Sequence, residues 1–503
     1  MEAKLAPVAY PGTPRSPNSH ESNVTYFNGI KLLSDEGRRW IEGQVGEEVS
    51  RERLSALELP WTNPRRLYED VTMPSNCAPD QPRRSILEMY VMRYTSSFQS
   101  LVFPVISKSL FTKTLDLAYG PFHVFGYASA KSCAYSFLSL ITLFGFDDDD
   151  AQRAVDCGSY ASAAQRLVPH IIQEMTVDGL QSLIMLAQFQ YFLGDLQPAG
   201  VSVSIATRLI YMLGAHRHPT DKSSAAYLPP YDKGDLNCHL RDLFWLCYSF
   251  DKDICLRMGQ PPSIDDTQCD LSLPADYVRL QNTNIRRDTM KPDSSTQPLF
   301  PWDIRLSKMK SEAYHTLYSA SARLKSDSEI LSSIRHLDAA LEQWRLSLHP
   351  DIRPILCFWQ DMPPKATVNT QEVMLRLAYY HCVIIIHEAS DRCKLSKADS
   401  GIGVEGISSS INLSITASRS SLSLLQATLP ILKGECFCYH DAKILSDVPT
   451  LMRKIPIRYL TPAEIIHLKF LDGFTTELAR LGMCAIYKAQ EKVHASRDVR
   501  MFS

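Results

Sequence analysis

The strongest constraint on this chain is the spacing of its apolar residues, which recur three and four positions apart through the interval from Arg84 to Gly214. Such spacing places apolar side chains along one face of an α-helix, whereas a half-buried strand alternates apolar and polar residues. No convincing alternation occurs in this interval, and 21 glycines among 503 residues leave few turns for short hairpins. The pattern predicts an all-α fold, an irregular multi-helix bundle.

Helical rhythm continues along the second half of the chain, interrupted by prolines and polar loops. The predicted helices Val177 to Leu193 and Pro198 to Leu213 are joined by the short turn Gly194-Asp195, so they are expected to form an antiparallel hairpin. The main predicted helices are Val177 to Leu193, Pro198 to Leu213, Asn237 to Leu256, Ile304 to Leu324, Ile330 to Leu348, Gln371 to His387 and Ile407 to Leu432.

The length of 503 residues exceeds what one hydrophobic core usually serves, because most domains have roughly 100–200 residues. Changes in composition suggest where the chain divides. We predict a disordered N-terminal lead, a short helix with a proline-spotted connector, a helical core, a polar linker or long loop, and a C-terminal helical region packed on the core. The corresponding intervals are 1–23, 24–82, 83–276, 277–303 and 304–503.

Charge and cysteine usage limit the environment of the chain. Its 53 Lys and Arg nearly balance 55 Asp and Glu, so no global field attracts nucleic acid or an anionic membrane, and any DNA contact must be local. Thirteen scattered cysteines, an odd number, favour a reducing compartment over a disulfide framework. The most apolar window, Ser132 to Phe146, is shorter than the ~20 residues of a membrane helix, so no membrane contact is expected.

Four patterns resemble chemical sites, but each lacks a necessary part. Gly401 to Gly406 reads G-x-G-x-x-G without a preceding buried strand, and His387-Glu388 lacks the second histidine of the zinc motif H-E-x-x-H. Cys436, Cys438 and His440 have no fourth ligand at a recognisable distance. Asp147 to Asp150 could hold Mg²⁺ only with a second carboxylate segment. The sequence therefore predicts no catalytic, metal or cofactor site.

The most informative segment extends from Leu240 to Pro274. Its helical half carries a wide apolar stripe, and Asp251 and Lys252 stand near the end of that stripe among apolar neighbours. Charges in such a place need partners, which indicates an internal salt-bridge latch, with Arg241 at the other end of the stripe. The alternative is that these charges are solvated helix ends.

This segment resembles the fungal-specific transcription factor domain, the middle homology region of zinc-cluster transcription regulators. The shared signature is a basic residue, L-F-W, an aromatic, an acidic-basic pair, a G-x-P turn and a tail that ends in L-P. Gln260 occupies the middle of that turn, where the family usually has arginine. The resemblance implies that the following residues form the structural and regulatory signature: Arg241, Phe244, Trp245, Tyr248, Asp251, Lys252, Gly259 and Pro261.

Weaker similarities to the same family extend over most of residues 24–390. They imply that the bundle is the regulatory body typical of such factors. The similar stretches are Tyr26 to Trp40, Asp178 to Leu183, Ala206 to His218, the surroundings of Trp344, and Leu377 to His387.

The family's DNA-reading zinc cluster begins C-x-x-C, yet no two cysteines in this sequence are three positions apart. The expectation is a regulatory body without its N-terminal zinc module. Such a chain should bind duplex DNA weakly, without sequence preference, and contain no stoichiometric zinc. DNA would then be reached through a DNA-binding partner, for example in a homo- or heterodimer with zinc-cluster regulators, and the chain would act in the nucleus.

Taken together, the sequence predicts a fungal transcription regulator of a particular pathway, for example a metabolic or secondary-metabolite gene cluster, and not an enzyme. Two alternatives remain open. One is an all-α enzyme with Asp147 to Asp150 as a Mg²⁺ site. The other is a ligand-sensing or scaffold protein unconnected with transcription. Fold resemblance does not identify target genes or an effector.

Overall fold

The computed structural model describes residues 81–121, 124–143, 157–192, 196–217, 233–274, 276–285, 298–356 and 370–393, with parts of 406–424. Within these ranges the protein contains helices and turns and no strand, which confirms the all-α prediction. The α-helices are α1 Arg84–Thr95, α2 Gln99–Val102, α3 Lys108–Ala118, α4 Tyr127–Leu143, α5 Cys157–Arg166, α6 Val168–Glu174, α7 Val177–Phe192, α8 Leu196–Leu213, α9 Lys233–Met258, α10 Tyr277–Asn284, α11 Ile304–Ala313, α12 Asp327–Ser347 and α13 Thr370–Glu388.

Helix α7 lies at the centre of the fold, because every residue from Gly179 to Phe192 is buried. It packs against α4, α8 and α9, and its buried residues include the polar side chains of Gln181, Gln188 and Gln190. The buried side chains form one hydrophobic cluster that runs from Leu87 on α1 to Leu424. The segments before and after the predicted linker interval therefore share a core.

The start of α7 is defined by local hydrogen bonds. Met175 adopts the left-handed conformation, with φ of 50°, and ends α6. The hydroxyl of Thr176 then accepts the amide of Gly179 at 3.1 Å, as an N-cap does. A Cβ at position 179 would lie 2.6 Å from Cγ2 of Ile171, so glycine permits the close approach of α6 and α7.

The predicted helix from Ile304 to Leu324 is shorter in the structure. Helix α11 ends at Ala313, and a π turn follows over Tyr314–Tyr318. The amide of Ser319 donates to the carbonyl of Tyr314 at 2.8 Å, while the Ser319 hydroxyl donates to the carbonyl of His315. Serine competes in this way for backbone acceptors, which favours the end of a helix over its continuation.

The interval 277–303, predicted as a linker or long loop, begins with helix α10. Its polar composition hides a pattern of four-residue spacing, since Tyr277, Gln281 and Ile285 are all buried. Near the other end of the interval, the amides of Leu299 and Phe300 bond to the carbonyl of Leu101. Both described ends of this interval are anchored in the core.

The C-terminal helices pack on the same core. Helix α12 begins at a capping box in which Ser326 and Glu329 satisfy each other's backbone amides. Near its other end, the indole of Trp344 donates to Oδ2 of Asp303 at 3.0 Å, and Asp303 is the N-cap of α11. This bond ties α12 to the start of α11.

Seven cysteines have side chains that the structure describes, and none of these seven forms a disulfide. Burial raises the pKa of Cys382 on α13 to about 11. The buried thiols are Cys133, Cys247, Cys255, Cys382 and Cys393, while Cys238 is exposed and Cys269 half-buried. None of the helices described is long and apolar enough to cross a membrane.

Candidate functional site

Helix α9 carries the first half of the signature segment and ends in a glycine turn. Gly259 has φ of 64°, a left-handed conformation that favours glycine. The amide of Gln260 then donates to the carbonyl of Cys255 at 3.1 Å, which closes the helix end in the manner of a Schellman motif. Gln260 and Pro261 are exposed, and the chain returns along α9 as the signature loop, defined here as residues 259–274.

The aromatic residues of the signature lie in the core. Phe244, Trp245 and Tyr248 are each at most 1% exposed. The rings of Trp245 and Tyr248 meet edge to face at 5.6 Å, and those of Phe244 and Trp245 at 5.0 Å. Such contacts add to the stabilisation from buried apolar area.

Asp251 holds the signature loop to α9. The carboxylate is 4% exposed, and it accepts the amide of Ser263 at 2.8 Å and the amide of Ile264 at 3.0 Å. Burial raises the pKa of Asp251 above its ordinary value, while Lys252 and the two amides oppose that shift. The predicted alternative, a solvated helix end, does not describe this residue.

Lys252 is fully buried and binds the same loop through its ammonium group. Its Nζ donates to the carbonyl of Ile264 at 2.5 Å and lies 3.1 Å from Oδ1 of Asp266 and 3.4 Å from Oδ2 of Asp251. The ammonium also faces the ring of Tyr248 at 4.8 Å, and the Tyr248 hydroxyl donates to Asp266. Asp251, Lys252, Tyr248 and Asp266 are called the latch below.

Arg241 joins the other end of the loop to α9. Its guanidinium donates to the carbonyl of Ala215 at 3.1 Å and to the carbonyl of Asp270 at 2.9 Å. It also stacks over Phe244, 4.5 Å from the ring centroid. Burial lowers the pKa of Arg241 relative to its ordinary value. Arg241 and the latch thus fix the signature loop at two separate points.

A second buried charge cluster, which the sequence analysis missed, surrounds Asp253. Its carboxylate pairs with Nε of Arg257 at 2.6 Å and with the ammonium of Lys310 on α11. It also accepts the hydroxyl of Tyr191 on α7, and Nδ1 of His381 on α13 lies 3.8 Å away. We call these five residues the Asp253 cluster.

The sequence offers only a weak sign of this cluster. Asp253 and Arg257 are four positions apart, which is the ordinary spacing of an exposed helix ion pair. The sign that could have distinguished them is their position, since they continue the apolar stripe that already buries Asp251 and Lys252. Lys310 lies 57 positions beyond Asp253, and only the tertiary fold brings the two together.

A buried histidine lies one turn before the signature aromatic residues. His239 is 5% exposed, and its Nε2 lies 2.9 Å from Nε2 of Gln181 on α7. Burial lowers the pKa of His239 to about 4. The imidazole is therefore neutral near pH 7 and acts as a hydrogen-bonding link between α7 and α9.

The other sequence patterns do not assemble into a site in the described residues. His387 lies 3.3 Å from Asp338, and no group of metal-ligating residues occurs in the part of the chain that the structure describes. Asp147 to Asp150, Cys436 and its neighbours, and all of the Gly401 to Gly406 pattern except Gly406 lie outside the described residues. The signature segment combines buried charges with backbone acceptors and donors, an arrangement that holds a loop in place.

The signature segment lies in the part of the chain that is similar to known proteins. Residues 133–346 match the model of the fungal specific transcription factor domain, and helix α9, the signature loop and α11 all lie inside that interval. The matched interval is what the chain shares with this domain, and the similar proteins described below are named as transcription factors.

Two similar proteins are ABC-transporter-regulating transcription factors. The one from Aspergillus fumigatus is 25% identical over 79% of this chain and 45% of its own length. The one from Aspergillus oryzae is 24% identical over 93% of this chain and 55% of its own length. The fusaridione A cluster transcription factor of Fusarium heterosporum is 26% identical over 46% of this chain and 40% of its own length.

The chain thus spans about half the length of the curated relatives it matches most extensively. No solved structure matches it significantly.

Proposed function

We propose that this protein is a fungal transcription regulator of a particular pathway and that its helical domain controls that activity. The observation that carries the proposal is the domain match over residues 133–346, which contains the whole signature segment. Relatives named as regulators of an ABC transporter and of a secondary-metabolite cluster make a transport or secondary-metabolite gene set a reasonable target.

We further propose that the chain reaches DNA in the nucleus through a partner, as a homo- or heterodimer with zinc-cluster regulators. The sequence has no C-x-x-C pair, and its 53 basic residues are balanced by 55 acidic ones, so it offers little phosphate-neutralising charge. An isolated chain should accordingly bind duplex DNA weakly and without sequence preference.

A reporter assay tests the regulatory role. The chain is fused to a foreign DNA-binding domain that carries its own nuclear signal, and reporter output is compared with that of the foreign domain alone. An activator raises the output and a repressor lowers it. A fusion that carries Arg279→Ala is the control for a surface substitution. Arg279 is 69% exposed in a surface ion pair, so this variant should give the same reporter output as the unchanged fusion. A stable nuclear fusion that leaves output unaltered would contradict the proposal.

A titration tests the DNA contact separately. Binding of the purified chain to labelled duplex is measured at several salt concentrations, since neutralised phosphates give a steep dependence of affinity on salt. We expect weak binding and no zinc by metal analysis. Tight, sequence-selective binding with bound zinc would show that the chain reads DNA directly.

A further inference from the structure

Three consecutive charged residues, Asp251, Lys252 and Asp253, are buried in the middle of the fold, each 4% exposed or less. Successive positions on an α-helix are turned by about 100°, so the three side chains face different neighbours. Asp251 and Lys252 hold the signature loop, whereas Asp253 faces Lys310 on α11 and His381 on α13. One turn of α9 thus touches both the loop and the C-terminal helices.

Neither the latch nor the Asp253 cluster is electrically neutral by itself. The latch contains two carboxylates, Asp251 and Asp266, and one cation, Lys252. The Asp253 cluster contains one carboxylate and two cations, Arg257 and Lys310. Leaving aside the imidazole of His381, the formal charges of the latch and of the Asp253 cluster are −1 and +1, so these six groups together are neutral.

The two groups are close enough to act on each other. Lys252 of the latch and Asp253 are consecutive residues on α9, and the thiol of Cys255, one turn further along, donates to the carbonyl of Lys252 at 3.4 Å. The space around the Asp253 cluster is apolar and aromatic: the ring of Trp302 lies 5.6 Å from that of Tyr191, and Lys310 faces the Trp302 ring at 5.4 Å. Charges in such surroundings are screened much less than charges at the surface.

From this we infer that the latch and the Asp253 cluster form one charge-balanced unit, through which helix α11 controls how firmly the signature loop is held on α9. The excess positive charge around Asp253 favours the ionised carboxylates of the latch. Removal of the Lys310 charge would leave those carboxylates uncompensated, and the loop amides would lose a well-ionised acceptor. This inference concerns the molecule itself and does not depend on the proposed role in transcription.

Hydrogen exchange at the signature loop tests the inference on the full chain. The amides of Ser263 and Ile264 donate directly to Asp251, so their exchange rates report how firmly the latch is closed. The test variant is Lys310→Met. The control is Lys325→Met, because Lys325 is a partly buried lysine that bonds to Thr316 and Ser333, outside both charge groups.

The expected result is an exchange rate at Ser263 and Ile264 that is at least about tenfold faster in Lys310→Met, while amides of α4 stay protected. The control should leave these rates unchanged. The double variant Lys310→Met with Asp253→Asn restores neutrality over the unit and should return the rates toward those of the parent. Loss of a mechanical contact cannot explain that recovery, because the double variant lacks the ion pair altogether.

Two results would overturn the inference. One is a folded Lys310→Met variant with parental exchange at Ser263 and Ile264. The other is a double variant whose loop exchanges as fast as that of the single variant. If Lys310→Met fails to fold, recovery of folding in the double variant becomes the measurement, and a double variant that also fails to fold contradicts charge balance.

Discussion

Replacement of Asp251 by alanine tests the latch most directly. The change removes the acceptor of two backbone amides, Ser263 at 2.8 Å and Ile264 at 3.0 Å. The Ile264 amide is buried, and a buried donor left without a partner costs about 1–3 kcal/mol. The half-buried Ser263 amide can find water and should cost about 1 kcal/mol or less.

The remaining term is the charge of Lys252. Lys252 keeps the carbonyl of Ile264 and the carboxylate of Asp266, so the loss of Asp251 weakens its pairing without leaving it alone. Removing one partner of a buried pair costs about 3–5 kcal/mol in all, a total that includes the hydrogen bonds lost with it, and the contacts that Lys252 retains place this case at the low end. We expect Asp251→Ala to lower the free energy of unfolding by about 3–4 kcal/mol.

The measurement is urea unfolding followed by circular dichroism, with Asp265→Ala as the matched control. Asp265 lies in the same loop but is exposed, and its carboxylate caps the amide of Thr267 at 2.9 Å. Loss of such a cap costs about 1 kcal/mol. If the two variants are destabilised equally, Asp251 does not hold the loop in the way its contacts indicate.

Trp245→Ala should lower the unfolding free energy by about 3–5 kcal/mol in urea, because a large and fully buried side chain leaves a cavity; a loss below about 1 kcal/mol would place Trp245 outside the core. Gly259→Ala should cost about 1–2 kcal/mol in thermal unfolding, because φ of 64° strains any side chain, and Gly259→Asn should be milder. His239 predicts a pH effect: its folded pKa of about 4 lies below the ordinary 6.5, so between these values the unfolded chain binds the proton and stability falls on acidification. His239→Gln should flatten that part of the stability profile by up to about 3 kcal/mol, and an unchanged profile would show that the imidazole titrates normally.

Much of the helical fold follows from local sequence. Apolar spacing located α7 and α8 to within three residues, because each helix must bury one or more faces and its length is limited by flanking turns. The spacing failed where few apolar residues carry the burial, as in α10, and where a serine ends a helix inside a periodic stretch, as at Ser319. At these two places, contacts between segments distant in sequence determine whether a helix forms and where it ends.

The candidate site divides in the same way. The position of Asp251 and Lys252 at the end of an apolar stripe predicted that they need partners, but the partners themselves are mostly backbone groups of the returning loop. Sequence patterns of side chains carry no signal for such acceptors and donors. The ion pair of Lys310 with Asp253 could not be predicted from the sequence for a different reason, since it depends on how α11 packs against α9.

The buried thiols make local opening of this fold measurable by chemical labelling. Cys133 on α4, Cys255 on α9 and Cys382 on α13 cannot meet an aqueous disulfide reagent until their helices open, and burial raises the pKa of each thiol. Under native conditions, the labelling rate of each thiol therefore counts openings of its own helix. Mass spectrometry of the labelled peptides would rank these helices by opening frequency. Equal labelling rates for Cys133, Cys255 and Cys382 would indicate that the parts of the chain before and after residue 285 open together, and unequal rates that they open separately.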